Sequence, residues 1–494
     1  MCEDLYKCSD GLQTNRDLLI PFNAGNKSQV TQATASLFSA IFLCFCSRAF
    51  AKIPCPRGAV SIAVPFKRSL SYPDSVHFLY SLGNEIKAGA KLGLDRMRAL
   101  LAGLGNPERS QRFVHVAGTN GKGSTSAMVA SALRHSGLRT GLYTSPHLVE
   151  PTERINIDGA DVSKETFAEA FSTVHRISEQ LLLAGQLDAH PSYFETVTAM
   201  ALLLFRDCCD IGVIEVGLGG RLDATNVIDP QICIITPVAF DHETYLGNTL
   251  TAIAAEKAGI LKPNIPVVLA SQQPAAGTVI EERARQLNCR LIRAEDYPLS
   301  HVQADATSCR FVLESESYLC DLAGRHQLEN ARAAILACQA LGISPSSIRA
   351  GLQSVRWPGR LEIISRHPDF ILDGAHNPAG AAALAAYIRE FHAERPIWLV
   401  YGAMRDKAVE EVTEQLFPLA DRIIATAPNF SRALRPEAIL ELSSCSDAAA
   451  AASIADAIRL ARLAPPEAVV FFTGSLFLVG EVRAILAASV SSIS

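Results

Sequence analysis

From residue 72 onward, short apolar runs alternate with longer stretches whose apolar positions recur every three or four residues. The runs 113–116, 140–143, 211–216, 232–236 and 267–270 predict buried strands, and 164–184 and 193–206 predict helices between them. A further helix is expected to open at Ser124 and Thr125 and to run to about His135. Such alternation predicts an α/β fold, a mostly parallel sheet with helices on both faces. Residues 291–322 are richer in short extended pieces, such as 310–313, and read as a small β excursion on the first domain. Helix returns at 327–341. Trp357-Pro358-Gly359 then breaks the pattern and reads as a hinge. A second alternation follows, with strands at 370–372, 397–401, 422–426 and 468–472 and helices at 379–391, 409–416 and 448–463. Its alanine-rich run 448–452 reads as helix-forming. The expected organisation is a poorly structured extension over 1–70, a first domain over 71–357 and a smaller Rossmann-like α/β domain over 358–494.

Composition narrows the class. A chain of 494 residues, 49% apolar and 19% charged, has material for two or three domains with large cores. A formal net charge of −5 leaves no basic footprint for nucleic acid. We expect small-molecule partners, no nucleic acid, no membrane, and a monomer. The 13 cysteines form no C-x-x-C pair and no metal-like cluster, so a reducing compartment, the cytoplasm, is expected. The first 70 residues differ. The apolar run 37–46 is too short to span a bilayer, and Ala49-Phe50-Ala51 resembles a signal-peptide cleavage site. Glu3, Asp4, Asp10 and Asp17 argue against a transit peptide. An unstructured extension, or sequence upstream of the mature protein, is the preferred reading, with organellar import left open.

Four stretches carry candidate chemistry. The first, VHVAGTNGKGSTS at 114–126, places Gly118, Gly121 and Gly123 between a strand and a helix. Bare amides and the helix N-terminus face an anion there, Lys122 neutralises phosphates, and a hydroxyl at Ser124 can hold the magnesium that travels with ATP. The loop departs from G-x-x-x-x-G-K-[ST], because Gly123 separates Lys122 from Ser124. An ordinary glycine turn would explain the glycines but not a lysine inside them. The second is IGVIEVGLGGRLDATN at 211–226, where a strand delivers Glu215 at its carboxyl end and a carboxylate beside a phosphate loop suits Mg²⁺. The third, 241–262, opens on Asp241-His242 and carries Thr249 as a helix cap, with Glu256-Lys257 near the helix end. Lys257 is either a dull solvated lysine or one that points back to the metal site. The fourth is DGAHNP at 373–378, polar residues in a strand-end turn that read as substrate ligands. Arg360 can reach phosphate from the second domain, and Asn330 lies too deep in its helix to be a cap.

In order along the chain stand GTNGKGS, TSPH at 144–147, ERI at 153–155, EVGLGGRLDATN, DH followed by LG and EKAGI, GRHQ at 324–327, WPGR at 357–360, LDGAHNP and TGSLFLVGEVR at 473–483. Together they resemble the dihydrofolate synthase/folylpolyglutamate synthase family of the Mur ligase superfamily, from about residue 72 to 483. The resemblance implies a P-loop Mur-ligase-type ATPase domain followed by a glutamate-ligase domain. It implies that ATP phosphorylates a pterin-linked carboxylate and that L-glutamate attacks the acyl phosphate. Carried over by residue, it assigns nucleotide binding to Gly118, Thr119, Asn120, Gly121, Lys122, Gly123, Ser124, Thr125, Asn330, Arg360 and Asp373. Ser124 and Glu215 match the ligands of one Mg²⁺, and Ser145 and His242 the environment of a second. Lys257 matches a lysine that becomes carbamylated, and His376 a residue facing the γ-phosphate and glutamate; with Lys122 these are the expected catalytic residues. Arg221, Asp223 and Ala224 match the version of the pteroate and folate contacts found in bifunctional members. The bifunctional reading is preferred over a dihydrofolate synthase or folylpolyglutamate synthase alone. A nucleotide-binding scaffold and a cell-wall Mur ligase are the remaining alternatives.

Overall fold

The computed structural model describes residues 70–83, 93–405 and 407–491. The expectations for residues 1–69, including the apolar run 37–46, lie outside the described residues. The strands are β1 (Arg112–Ala117), β2 (Thr140–Tyr143), β3 (Ile155–Ile157), β4 (Ala160–Asp161), β5 (Ile211–Glu215), β6 (Ile232–Ile235), β7 (Val267–Leu269) and β8 (Leu291–Arg293). They form one sheet in the order β4-β3-β2-β5-β1-β6-β7-β8. All pairs from β2 to β8 are parallel; β3 and β4 add an antiparallel edge. Side chains alternate across it. Val114 and Val116 face the helices Lys122–His135 and His326–Ala340, whereas Phe113 faces the helix Tyr193–Cys208. Ser192 and Glu195 start that last helix with a reciprocal capping box.

Strands β9 (Ser300–Ala304), β10 (Cys309–Leu313) and β11 (Glu316–Cys320) make a separate antiparallel sheet. The expected β excursion is therefore shorter than 291–322: Leu291–Arg293 closes the main sheet instead, drawn in by its parallel register with β7.

The second lobe contains β12 (Glu362–Ser365), β13 (Asp369–Leu372), β14 (Ile397–Tyr401), β15 (Arg422–Ala425), β16 (Ala448–Ala450) and β17 (Val469–Thr473), in the order β12-β13-β17-β14-β15-β16. Phe471 and Phe472 of β17 are buried on opposite faces of this sheet. Each burial stabilises by roughly 1.5–3 kcal/mol, so a one-residue slip would exchange both partners. The expectation of one helix over 448–463 is corrected here. Ala448–Ala450 pairs in parallel with β15 as an edge strand, and the helix starts only at Ile454, capped by Ser453. Alanine's helix propensity is weak per residue, and the open hydrogen-bonding edge of β15 outweighs it.

Candidate active site

Strand β1 is central: the chain runs from it to β2, returns through β5 at its side, and then crosses to β6 on its other side. The crevice outside its carboxyl end is where parallel sheets of this kind bind ligands. Three of the candidate stretches converge on it. The glycine loop follows Ala117, Glu215 ends β5 in register with Val116, and Asp241-His242 follow β6.

The loop is shaped by close approaches. Gly121 precedes the helix Lys122–His135 with φ of 83°, and a Cβ there would lie 2.1 Å from Asn330 Oδ1. Gly123 serves a different purpose: a Cβ on it would lie 2.8 Å from the Trp357 indole, so its bare α-carbon admits the ring of the inter-lobe segment. Lys122 Nζ curls back to donate to Thr119 O at 3.0 Å. Thr119 Oγ1 donates to Ala239 O and accepts from Ala239 N, at 3.0 and 3.1 Å, which ties the loop to the segment after β6. Ser124 and Thr125 are buried in the first helical turn. Gln327 Nε2 donates to Ser124 Oγ at 3.4 Å, and the buried Thr125 hydroxyl has no protein partner.

Charge in the crevice is held out of water. Glu215 is buried and accepts from the Ser145 amide at 3.1 Å. Burial pushes its carboxyl up, against the pull of Lys122, the Ser145 amide, Arg360 and Arg154. Lys257 is also buried, with Nζ donating to Gly118 O at 2.7 Å. Burial first, then the neighbouring Lys122, brings its ammonium down to about 7. The solvated-lysine alternative is thereby excluded, and the adjacent Glu256 turns away to pair with Arg221 at 2.8 Å.

The second lobe meets the first across this crevice. Asn377 and Asn120 exchange side-chain amide hydrogen bonds at 3.0 and 3.1 Å. Asp241 takes Lys407 Nζ at 2.6 Å and Asn377 Nδ2 at 3.2 Å, and His376 Nε2 lies 3.6 Å away. Although burial opposes ionisation, His376, Lys407 and His242 hold the Asp241 carboxyl well below the usual range. His376 Nδ1 donates to Gly374 O at 2.7 Å, which leaves Nε2 toward Asp241. His242 has a left-handed backbone, φ 53°, and Nε2 lies 3.3 Å from Lys407 Nζ. Burial lowers its pKa to about 4, with Asp241 opposing, so the ring is neutral near pH 7.

Other expected residues do structural work. Asp373 accepts from the Leu361 and Ala375 amides, at 3.1 and 3.0 Å, and so shapes the turn that carries His376. Arg360 Nη1 donates to Gly359 O at 3.0 Å. Asp223 is buried and accepts from the Leu218 and Thr225 amides at 2.9 and 3.0 Å, while Ala224 packs in the core. Of the expected pteroate contacts, two thus stabilise their own loop and Arg221 pairs with Glu256. Sequence reading missed Lys407 and Gln327 as site residues, placed Asn377 only within the substrate-binding turn, and did not rank Asp241. Lys407 follows the end of β14 and Asn377 the end of β13, so strand-end position was the available signal.

Residues 116–338 match the family model for the Mur ligase middle domain, and 359–476 that for the Mur ligase, glutamate ligase domain. The chain is 34% identical over 432 residues to the dihydrofolate synthase/folylpolyglutamate synthase of Bacillus subtilis, covering 84% of this chain and 98% of that protein. It belongs to the dihydrofolate synthase/folylpolyglutamate synthase family. Folylpolyglutamate synthase of Lacticaseibacillus casei is also 34% identical, over 434 residues, with 84% and 98% coverage. Among solved structures, E. coli FolC in complex with DHPP and ADP superposes with a TM-score of 0.75 at 30% identity, over 84% of this chain and 98% of that one. The fold of this family member is thus the expected Mur-ligase type, two α/β lobes around one crevice.

Proposed function

We propose that this chain is an ATP-dependent ligase that joins L-glutamate to dihydropteroate, giving dihydrofolate, and to the glutamate tail of reduced folates. In this reading residues 71–357 form the ATP-binding domain and 358–494 the glutamate-ligase domain. The observation that carries it is the convergence of a glycine loop with Lys122, the buried Glu215 and the inter-lobe cluster Asp241–His376–Lys407 at the carboxyl ends of two sheets. A carboxylate is a poor electrophile. Its oxygen attacks the γ-phosphorus of ATP, ADP leaves, and the resulting acyl phosphate has a leaving group. The glutamate amine adds, the tetrahedral adduct collapses, and phosphate departs with an amide formed.

Residue roles follow from chemistry. Lys122 and the loop amides bind the β- and γ-phosphates. His376 and Arg360 approach from the second lobe toward the transferred phosphoryl and the glutamate. Ser124 Oγ and the buried Glu215 carboxylate are hard oxygen donors that fit one magnesium, and Ser145 and the neutral His242 line the surroundings of a second. A divalent cation held there would supply positive charge against the transferred phosphoryl group. The Lys257 amine, brought to about 7, is substantially unprotonated at neutral pH, which is the state that can add CO₂ and become a carbamate with loss of a proton. The RLDATN hexapeptide at 221–226 supports dihydropteroate as well as folate as acceptor.

The test is a single assay with purified protein, ATP, Mg²⁺ and L-glutamate, offering dihydropteroate and tetrahydrofolate separately. ADP release that requires the pterin carboxylate and glutamate together is expected with each acceptor. Release indifferent to both would refute the ligase, and turnover with one acceptor alone would reduce it to a monofunctional enzyme.

A further inference from the structure

Away from the ligase crevice, the helix Lys164–Leu183 carries His175 and Glu179 four residues apart on one face. The connection to the helix Tyr193–Cys208 brings His190 back over the same turn. His190 Nε2 lies 3.2 Å from Glu179 Oε1, and His175 Nδ1 lies 3.9 Å from that oxygen. One ligand atom from each residue lies within 4.8 Å of the other two. The side chains are 23%, 45% and 37% exposed for His175, Glu179 and His190, so an ion could reach them while most of their surroundings are protein. Aromatic rings hold the imidazoles in place. Phe171 stacks on His175 at 5.5 Å and 7°, and Phe78 lies 4.4 Å from His175 and 5.9 Å from His190. A cavity of about 10 Å³, one water-sized occupant, opens against both histidines.

We propose that His175, Glu179 and His190 form a divalent transition-metal site, suited to zinc, that is separate from the catalytic cations. Two imidazoles and one carboxylate, with a position left for water, are a zinc ligand set. Tetrahedral zinc at about 2.0–2.1 Å from each ligand needs ligand atoms about 3.3 Å apart. The Glu179–His190 pair is already at 3.2 Å, His175 stands 3.9 Å from Glu179, and the two imidazole ligand atoms lie within 4.8 Å of each other, so side-chain rotation of His175 is what closes the set. Nitrogen donors discriminate against Mg²⁺ and Ca²⁺, which favour all-oxygen shells. A bound ion would clip the 184–192 connection to the preceding helix.

The experiment titrates the full chain, in excess Mg²⁺, with Zn²⁺ by calorimetry and with Co²⁺ by visible absorption. His190→Gln and Glu179→Gln are compared with the parent after circular dichroism shows the same fold. Gln keeps a polar side chain at each position, and His190 lies outside the helices. One saturable Zn²⁺ equivalent is expected in the parent, weakened at least about tenfold in each variant, with the Co²⁺ bands lost in parallel. Zn²⁺ should also raise the parent's melting temperature more than that of His190→Gln. Equal Zn²⁺ affinity and stoichiometry in parent and variants, or no saturable binding, would overturn the site and leave a hydrogen-bonded surface cluster.

Discussion

Asn120 and Asn377, 257 residues apart, donate their side-chain amides to each other's carbonyl oxygens at 3.1 and 3.0 Å. One belongs to the phosphate loop and the other to the strand-end turn of the second lobe. Asn377 also accepts from Gly380 N as the cap of the helix Pro378–Phe391. Asn377→Ala should cost about 1 kcal/mol of stability through the cap. It should also lower kcat/KM about tenfold through the two lost hydrogen bonds with Asn120 and the one to Asp241. Asn377→Ser separates the two effects, since it caps but is too short for the pair. Wild-type kcat/KM in that variant would show that the pair does not matter to turnover.

Glu215 places a carboxylate out of water, with the Ser145 amide as its hydrogen-bond donor. Glu215→Gln keeps an acceptor for the Ser145 amide and removes the buried charge. Without nucleotide or metal the variant should be at least as stable as the parent. Its turnover should fall by about 100-fold or more and resist rescue by added Mg²⁺. Thermal melts and a Mg²⁺ titration of the rate check both halves.

Lys257 makes stability depend on pH. Its ordinary value is 10.5, and the folded protein brings it to about 7. Between those values the unfolded chain holds the proton and the folded one does not. Stability from this group therefore rises with pH from about 7 to about 10 and is flat below. Urea midpoints of the unliganded protein should show that slope, and Lys257→Met should remove it. Lys257→Ala should lose turnover, with partial rescue by short carboxylic acids if a carbamate is the working form. A fully active Lys257→Ala would exclude it.

Gly123 and Trp357 form a size-matched pair. Gly123→Ala pushes a methyl into the indole and should weaken ATP binding. In the background of Trp357→Leu the same change should cost less, a coupling of about 0.5–3 kcal/mol in a double-mutant cycle. Additive effects would mean that the glycine serves the loop backbone alone. By contrast Gly121→Ala should be harmful in either background, because φ of 83° strains any side chain by about 1–2 kcal/mol.

Much of the fold was legible before any coordinates. Buried parallel strands must be nearly all apolar, so 140–143 and 397–401 match β2 and β14 to the residue. Edge strands carry no such demand. Ala448–Ala450 and Ala160–Asp161 are strands only because a neighbour's open edge pairs with them. The candidate site divides the same way. A glycine loop with a lysine states its chemistry locally, through bare amides and one cation, and Lys122, Glu215 and the DGAHNP turn could be named from the chain.

What the order of residues determined by itself was the buried parallel strands, the loops at their ends and the family. Local periodicity and backbone stereochemistry are enough for these. Only tertiary structure decided which of those loops touch. Lys257 works beside Gly118 because two strand ends are neighbours in the sheet, and Asp241 gains Lys407 and Asn377 because a second sheet faces the first. Burial and charge neighbours are properties of that packing. The same lysine in the same sequence window would be an ordinary solvated cation if its helix were rotated to face water.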